Sequence, residues 1–588
     1  MRFGCKGYLK FIFTPLECPV ASSRDENHFP FRANTELMPH VSLPIRRRSF
    51  LTGFTIFFTL LLFACVSKPD NSNVKDYSSE GAPFYGDTIV IGSIGDASTL
   101  IPILASDSAS HEIASYIYNG LLKYDKDLKL VPELAESYSV SKDELTIKFT
   151  LKKGIKWQDG VEFTSEDVLY TVKILKDPKT PTPYAGDYEK IQSIEAPDKY
   201  TVSVHYKEVF APALSSWSLS ILPSHLLKGK DITKSSLNRK PVGTGPYILK
   251  EWATGEKITL EANPSYFEGK PYIKKIIYRI IPDQATLFLE LKSENIDFSG
   301  LTPLQYFRQT ESEFFKRNFK KYRYPASAFT YIGYNLKKPF FADKRLRQAL
   351  SYAIDKKEIL DGVLMGAGQV ANGPFKPGTW AHNPKLKPYP YDPKKAREML
   401  AELGWKDSDG DGILDKNGQK FEFTLLTNQG NDARAKTAEI IQKRLAVVGI
   451  SVKIRVVEWA SFIKEFINKR RFDAVLLGWT ISPDPDPYDI WHSSKTKPQE
   501  FNFIGYNNPE VDELLLKGRK TFDIKERSKL YFKLQEILAY DQPYTFLYVP
   551  DALPVIHARF KGIQPETAGI FHNFIKWYVP ENQVKYSE

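Results

Sequence analysis

Cys65 is the first residue whose type and setting point to chemistry: it follows Leu62-Phe63-Ala64 at the end of an apolar run from Phe50 to Phe63. A thiol directly after a small residue at such a boundary suits acylation on sulphur, which fixes an exported chain to a membrane. Cys5 and Cys18 lie upstream of the implied cut, so Cys65 is the only cysteine of the mature chain and is committed to lipid. Disulfides, cysteine-ligated zinc and thiol nucleophiles are thereby excluded from the exported protein.

A second chemical candidate is an acidic loop. Asp407, Asp409, Asp411, Gly412 and Asp415 stand at positions one, three, five, six and nine of a calcium loop, whereas Gly418 occupies position twelve, where a bidentate Glu belongs. Two readings stay open: a weak calcium site on Asp407, Asp409, Asp411 and Asp415, or a solvated acidic turn after Trp405.

Nothing else assembles into a catalytic set. The sequence has no Gly-x-Ser-x-Gly elbow, Walker loop or His-Glu-x-x-His motif, and Gly243-Thr244-Gly245 lacks the third glycine of a dinucleotide fingerprint. Ser461-Phe462-Ile463-Lys464 matches a Ser-x-x-Lys pattern without its companion motifs and reads as surface helix. His111, His205, His225, His382, His492, His557 and His572 are scattered singly, without ligand spacing. No cofactor is expected apart from the calcium that the acidic loop suggests.

Arg46, Arg47 and Arg48 precede the apolar run, which completes a secretory signal over 46–64. Residues 1–45 are read as a non-native extension with the signal's charged start, translation beginning at Met38. Residues 65–86 hold the lipidated cysteine and a polar tether, Val66 to Pro83, with a reach of roughly 25 Å as a random coil. Removing residues 1–64 takes away eight cationic and four anionic side chains and lowers the net charge from +11 to +7. With no concentrated basic block, nucleic acid is not an expected partner.

The mature chain exceeds what one hydrophobic core usually supports, so two or more lobes are expected. Thr88 to Ile91 reads as a buried strand. Phe163 to Val168 contains a capping box on Thr164 and Asp167. Leu346, Ala349, Leu350, Ala353 and Ile354 form the stripe of a helix capped by Asp343. A helix from Asp432 to Val448, stopped by Gly449, leads into alternation at Ile450, Val452, Ile454 and Val456, and a further helix through Leu530 to Leu538 precedes a strand from Tyr544 to Val549. Strands and helices are interleaved, which is α/β architecture.

Several segments, in order from about Asp87 to Tyr578, resemble family 5 of bacterial extracellular solute-binding proteins, the oligopeptide- and dipeptide-binding proteins of ABC importers. They are Pro132 to Ser137, Leu151 to Gly160, Pro241-Val242-Gly243-Thr244-Gly245-Pro246-Tyr247, Asn263 to Phe267, Arg345 to Asp355, and Phe472-Asp473-Ala474 through Gly478-Trp479. The heptapeptide is read as a structural bend, its glycines admitting conformations closed to other residues.

The resemblance implies a two-lobed, hinged, periplasmic-binding-protein-like α/β fold of the large class, with an extra subdomain in lobe I. Lobe I would run over 87–324 with the insertion near 118–240, lobe II over 325–540, and a return to lobe I over 541–588. Between the lobes, the family positions imply ligand contacts from Asp96, Ala97, Ser98 and Thr99 of one lobe, and from Asn372, Gly373, Phe375 and Trp479 of the other. Trp479 has a second reading as a core ring closing its strand. In well-known members an aspartate three residues past this tryptophan pairs with a peptide's amino terminus; here that position is Ser482, and Asp484 and Asp486 follow as alternative carboxylates.

The function implied is that of a monomeric receptor, extracytoplasmic and lipid-anchored in the periplasm or at the cell surface. It would capture peptides and pass them to an ABC permease in the inner or cytoplasmic membrane, without catalysis. The alternatives are the same fold serving another solute, such as a sugar oligomer or metal complex, or a secreted hydrolase.

Overall fold

The computed structural model describes Tyr77 and residues 79–586. Cys65, the signal over 46–64, the extension before it and most of the tether lie outside the described residues. Among the described residues no helix is long and apolar enough to cross a membrane.

Local signals build the elements. Thr164 caps the helix Ser165–Lys176, and the Asp167 carboxylate accepts the Thr164 backbone N–H at 3.0 Å. Asp343 caps Lys344–Ala353, whose Leu346, Ala349, Leu350 and Ala353 are buried. The helix Asp432–Val447 ends at Gly449, which turns through a left-handed φ of 81°, and the following strand Ser451–Val457 returns parallel to Glu422–Asn428.

These elements close two seven-stranded sheets. The first orders Phe319–Lys321, Pro554–His557, Phe298–Gly300, Gly86–Ser93, Ile273–Ile280, Lys257–Ala262 and Tyr247–Ala253. The second orders Tyr324–Pro325, Tyr544–Ala552, Ala328–Tyr334, Ala474–Thr480, Glu422–Asn428 and Ser451–Val457, with Gly368–Val370 added on Tyr544–Ala552. Each is covered on both faces: Ile89 and Ile91 enter one core while Val90 enters another, and Leu425 and Leu426 divide in the same way in the second sheet. That is why the central strands read as continuous apolar runs. A separate four-stranded sheet over residues 135–206 is inserted in the first lobe.

Two crossings join the lobes. One follows Phe319–Lys321, where the Tyr322 N–H donates to the Pro554 carbonyl at 2.9 Å; the other lies at Leu553. Arg323 Nε donates to Asp551 Oδ2 at 2.7 Å and ties the two together. The strand Tyr544–Ala552 is therefore part of lobe II, and the chain returns to lobe I at Leu553 rather than near 541. The helix Ile524–Asp541 ends in a left-handed Gln542, and the strand that follows is claimed by its apolar partners in the second sheet.

The last described part of the tether is held. Tyr578 Oη donates to the Glu80 and Gly81 carbonyls at 3.3 and 3.4 Å, and the Tyr77 carbonyl accepts from Lys561 Nζ at 2.5 Å.

The heptapeptide does its structural work by close approach. Neither Gly243 nor Gly245 has a positive φ; a Cβ on Gly243 would lie 1.8 Å from the Ile117 carbonyl oxygen, and one on Gly245 2.5 Å from the Ile117 carbonyl carbon. The Gly245 N–H donates to the Ile117 carbonyl at 2.8 Å. Because the obstacle is backbone, Gly243→Ala is expected to cost at least about 3 kcal/mol. Urea unfolding measures this, and an unchanged midpoint would mean that the turn relaxes freely.

Candidate functional site

Between the lobes lies a cavity of about 770 Å³, walled by both of them. This falls within the few hundred to about 1,000 Å³ typical of small-ligand sites. Lobe I contributes Asp107 and Ser108 at the start of the helix Ser108–Ile117, His111, Tyr184, Asp187 and the turn from Ser215 to Leu219. Lobe II contributes the end of Ala474–Thr480 with Trp479, the segment to Asp489, and an apolar wall that includes Phe329, Ile463 and Phe503.

Five of the residues expected from the sequence stand on this wall: Phe375, Trp479, Ser482, Asp484 and Asp486. Trp479 is packed on its strand and also turned to the cavity. Its Nε1 donates to Tyr544 Oη at 3.2 Å and its ring stacks parallel over Tyr331 at 6.5 Å, yet it is half-buried and faces the cavity.

The others do not line it. Asp96 is buried and accepts from Trp252 Nε1 at 3.0 Å and the Gly255 N–H at 2.9 Å, so a hairpin of the first sheet consumes its carboxylate. Ala97 is buried, and Thr99 Oγ1 donates to Asn238 at 2.8 Å. Ser98 Oγ donates to Asp107, so this loop supports the wall from behind. Asn372 Nδ2 donates to the Leu386 carbonyl at 2.9 Å, and Gly373 rests against Gln535.

The carboxylates past Trp479 are engaged by buried arginines. Arg527 Nη2 holds Asp484 Oδ1 at 2.7 Å, and Arg519 Nε holds Asp486 Oδ2 at 2.7 Å while Asp486 Oδ1 accepts the Tyr488 N–H at 3.1 Å. Burial raises Asp484 above the ordinary carboxylate range, against the pull of Arg527.

Arg434 is differently placed. It lines the cavity from the first turn of Asp432–Val447, its Nη1 donates to Asn428 Oδ1 at 2.8 Å, and no carboxylate pairs with it among the described residues. Burial pulls its guanidinium below the usual arginine range. Gly478 makes room for it, since a Cβ there would lie 2.8 Å from Arg434 Nη2. Sequence reading identified this helix without singling out Arg434. A cation in the first turn, against the helix dipole, is the local misfit that flags it.

Asp107 was also missed. It caps its helix by accepting the Ser110 N–H at 3.0 Å and also accepts Trp459 Nε1 of lobe II at 3.3 Å, one of the contacts that join the lobes. Beside it, His111 Nε2 meets Tyr184 Oη at 2.6 Å, and burial lowers the imidazole's affinity for a proton.

Away from the cleft, Asp407, Asp409 and Asp411 offer oxygens within 4.8 Å of one another, all exposed. Lys420 Nζ bridges Asp409, at 3.1 Å, and Asp411. Asp415 stands apart from the three, its Oδ2 accepting from Ser408 Oγ at 2.6 Å and the Ser408 N–H at 2.9 Å. Ser461 and Lys464 are exposed, without the buried setting that a nucleophile and base require.

The family model described as bacterial extracellular solute-binding proteins, family 5 Middle, matches residues 129–501. The oligopeptide-binding protein AppA of Bacillus subtilis (strain 168) is 38% identical over 555 residues, covering 91% of this chain and 99% of that protein. The solved structure of AppA from Bacillus subtilis in complex with a nonapeptide is similar at a TM-score of 0.81 and 37% identity, over 85% of this chain and 100% of the other. NikZ from Campylobacter jejuni in complex with Ni(L-His) is similar at a TM-score of 0.76 and 28% identity, over 84% and 99%.

Proposed function

Because the chain belongs to the bacterial extracellular solute-binding proteins, family 5, a family of transport binding proteins rather than enzymes, we propose that it captures peptides between its lobes and delivers them to an ABC permease. One observation carries the peptide reading: a largely apolar interlobe cavity of about 770 Å³ holds the Arg434 guanidinium, which lacks a carboxylate partner among the described residues. A peptide supplies what this wall lacks. Its terminal carboxylate answers Arg434, its side chains fill the aromatic wall, and its backbone lies along the segment after Trp479. Similarity to AppA, solved with a nonapeptide, supports the same class of ligand.

In this reading Cys65 carries the lipid, and the tether keeps the closing lobes near the membrane that houses the importer. The lipid-modified precursor is expected to label with radioactive palmitate, and Cys65→Ser is expected to be released into the medium or periplasm.

The ligand is tested by releasing the protein from its host under mild conditions and weighing what co-purifies. A peptide of defined length is expected. A retained nickel complex or glycan would replace the peptide reading with that solute.

A further inference from the structure

Where the lobes meet beside the cleft, Arg519 is completed from both sides. It ends the helix Pro509–Arg519 of lobe II, and its side chain is only 3% exposed. Its Nη2 lies 2.7 Å from Asp187 of lobe I, 2.7 Å from Asp486 and 3.7 Å from Asp489 of lobe II, while Nη1 donates to the Gly186 carbonyl at 3.3 Å. Lys495 Nζ stands 3.6 Å from Asp489. The approach is tight, since a Cβ on Gly186 would fall 2.8 Å from both Asp489 Oδ1 and Lys495 Nζ.

Three carboxylates therefore face two cations in a buried seam, and Asp489 Oδ1 has no hydrogen-bond donor among the described residues. Surplus charge without full hydrogen bonding is costly away from water, and a carboxyl group relieves it by taking a proton. Closing creates this situation, because Asp187 reaches the seam only when lobe I meets lobe II.

We propose that closure of the lobes takes up a proton at the clasp of Asp187, Asp486, Asp489, Lys495 and Arg519, so that mild acid closes the receptor. The proposal rests on the reading of the cleft as a closing trap, and it adds a regulation of that same site.

The direction of titration agrees. Burial pushes the Asp187 carboxyl up to about 7, with Arg519 pulling the other way, and burial likewise raises Asp489. In an open receptor a solvated Asp187 titrates near the ordinary value of about 4. The closed form thus binds more protons across this interval. Its advantage is complete below about 4, and it is lost as pH rises through about 7.

Other groups face the clasp. Glu189 acts on Lys495 from lobe I, and Tyr488 and Glu500 act on it from lobe II. Glu208 of lobe I is held low by Lys190 and by Lys520 of lobe II, which opposes acid closure only near the ordinary glutamate range. His492, lowered by burial and facing Asp512, Lys495 and Arg519, has the opposite sign within the window. A test must separate its contribution from that of Asp187.

Closure can be read without any ligand. Lys142→Cys in lobe I and Lys525→Cys in lobe II, both exposed positions, are labelled with a fluorescent donor and acceptor in a chain whose native cysteines are serine. Single-molecule energy transfer then gives the closed-to-open ratio of the unliganded protein. This ratio is expected to rise about tenfold between pH 8 and pH 5.5. Asp187→Asn, a mimic of the protonated group, is expected to be closed at pH 8 as wild type is at pH 5.5, and to lose the pH slope.

A wild-type ratio that does not move with pH overturns the proposal, a receptor open throughout included. So does Asp187→Asn that opens the receptor at every pH, which would make the clasp a simple ion pair, or an acid-closing slope that survives in this variant, which would place the proton on a group other than Asp187; a slope of reversed sign in this variant is the part expected from His492. Failure here leaves the peptide reading standing, since peptide binding is measured separately.

Discussion

Arg434→Met is expected to weaken peptide binding by on the order of 100-fold, at a cost to the unliganded protein of about 1–3 kcal/mol at most, that of leaving the buried Asn428 Oδ1 without its donor. Truncating one partner of a buried, hydrogen-bonded charge pair costs about 2–5 kcal/mol, because the other charge is left without its partner in a dry site. In the unliganded protein Arg434 has Asn428 as its hydrogen-bond acceptor and no carboxylate to lose among the described residues, so its removal strands no buried charge. Methionine keeps much of the volume beside Gly478 and deletes only the charge and its donors.

Isothermal titration of a peptide as its free acid and as its C-terminal amide, against wild type and Arg434→Met, gives a double-mutant cycle. The amide is expected to lose as much affinity for wild type as the acid loses for the variant, with little further loss when both changes are combined. Arg434→Lys is expected to recover only part of the affinity, since an ammonium cannot present two parallel donors to a carboxylate. If wild type binds acid and amide equally, Arg434 is not the carboxylate's partner.

Arg559→Met is expected to destabilise the fold by about 3–5 kcal/mol without a specific change in ligand preference. Arg559 lies behind the first sheet, 1% exposed, with Asp87 and Asp297 both at 0%. It pairs with Asp87, lies 2.7 Å from Asp297 Oδ2 and donates to the Thr88 carbonyl at 3.0 Å. The two carboxylates in turn organise backbone from two parts of the chain: Asp297 accepts the Val90 N–H at 2.9 Å, and Asp87 accepts those of Thr88 at 2.7 Å, Lys585 at 3.1 Å and Tyr586 at 3.0 Å. Without Arg559, two carboxylates remain in the interior with no cation between them. Urea unfolding checks the loss. A midpoint within experimental error of wild type would mean that water reaches the network and replaces the guanidinium.

The two variants separate function from scaffold, and they also mark what sequence reading reaches. Caps and periodicities were legible because they act within a turn or two of helix: Thr164 with Asp167, Asp343 with Arg345, and Gly449 closing its helix all involve neighbours in the chain. The same locality explains the errors. The boundary near 541 followed the end of a long helix, but the strand after it belongs to the sheet that its partners at Thr330 to Gly333 select. The loop Asp96 to Thr99 matched the family's position for a cleft contact, yet Asp96 is taken by Trp252, more than 150 residues away.

By itself, the amino-acid sequence determined that this protein is an interleaved α/β chain with family 5 segments and no catalytic constellation. Those properties reside in residue type and in spacings of a few positions. Only the tertiary structure decided which charges are left for a ligand. Asp484 and Asp486 looked equally available, until Arg527 and Arg519 arrived from 43 and 33 residues away to pair with them. Arg434 looked like one more helical cation, until folding left it on the cleft wall with no carboxylate partner among the described residues. Charge compensation depends on distance through space and on exclusion of water, and a linear sequence specifies neither until the lobes have closed.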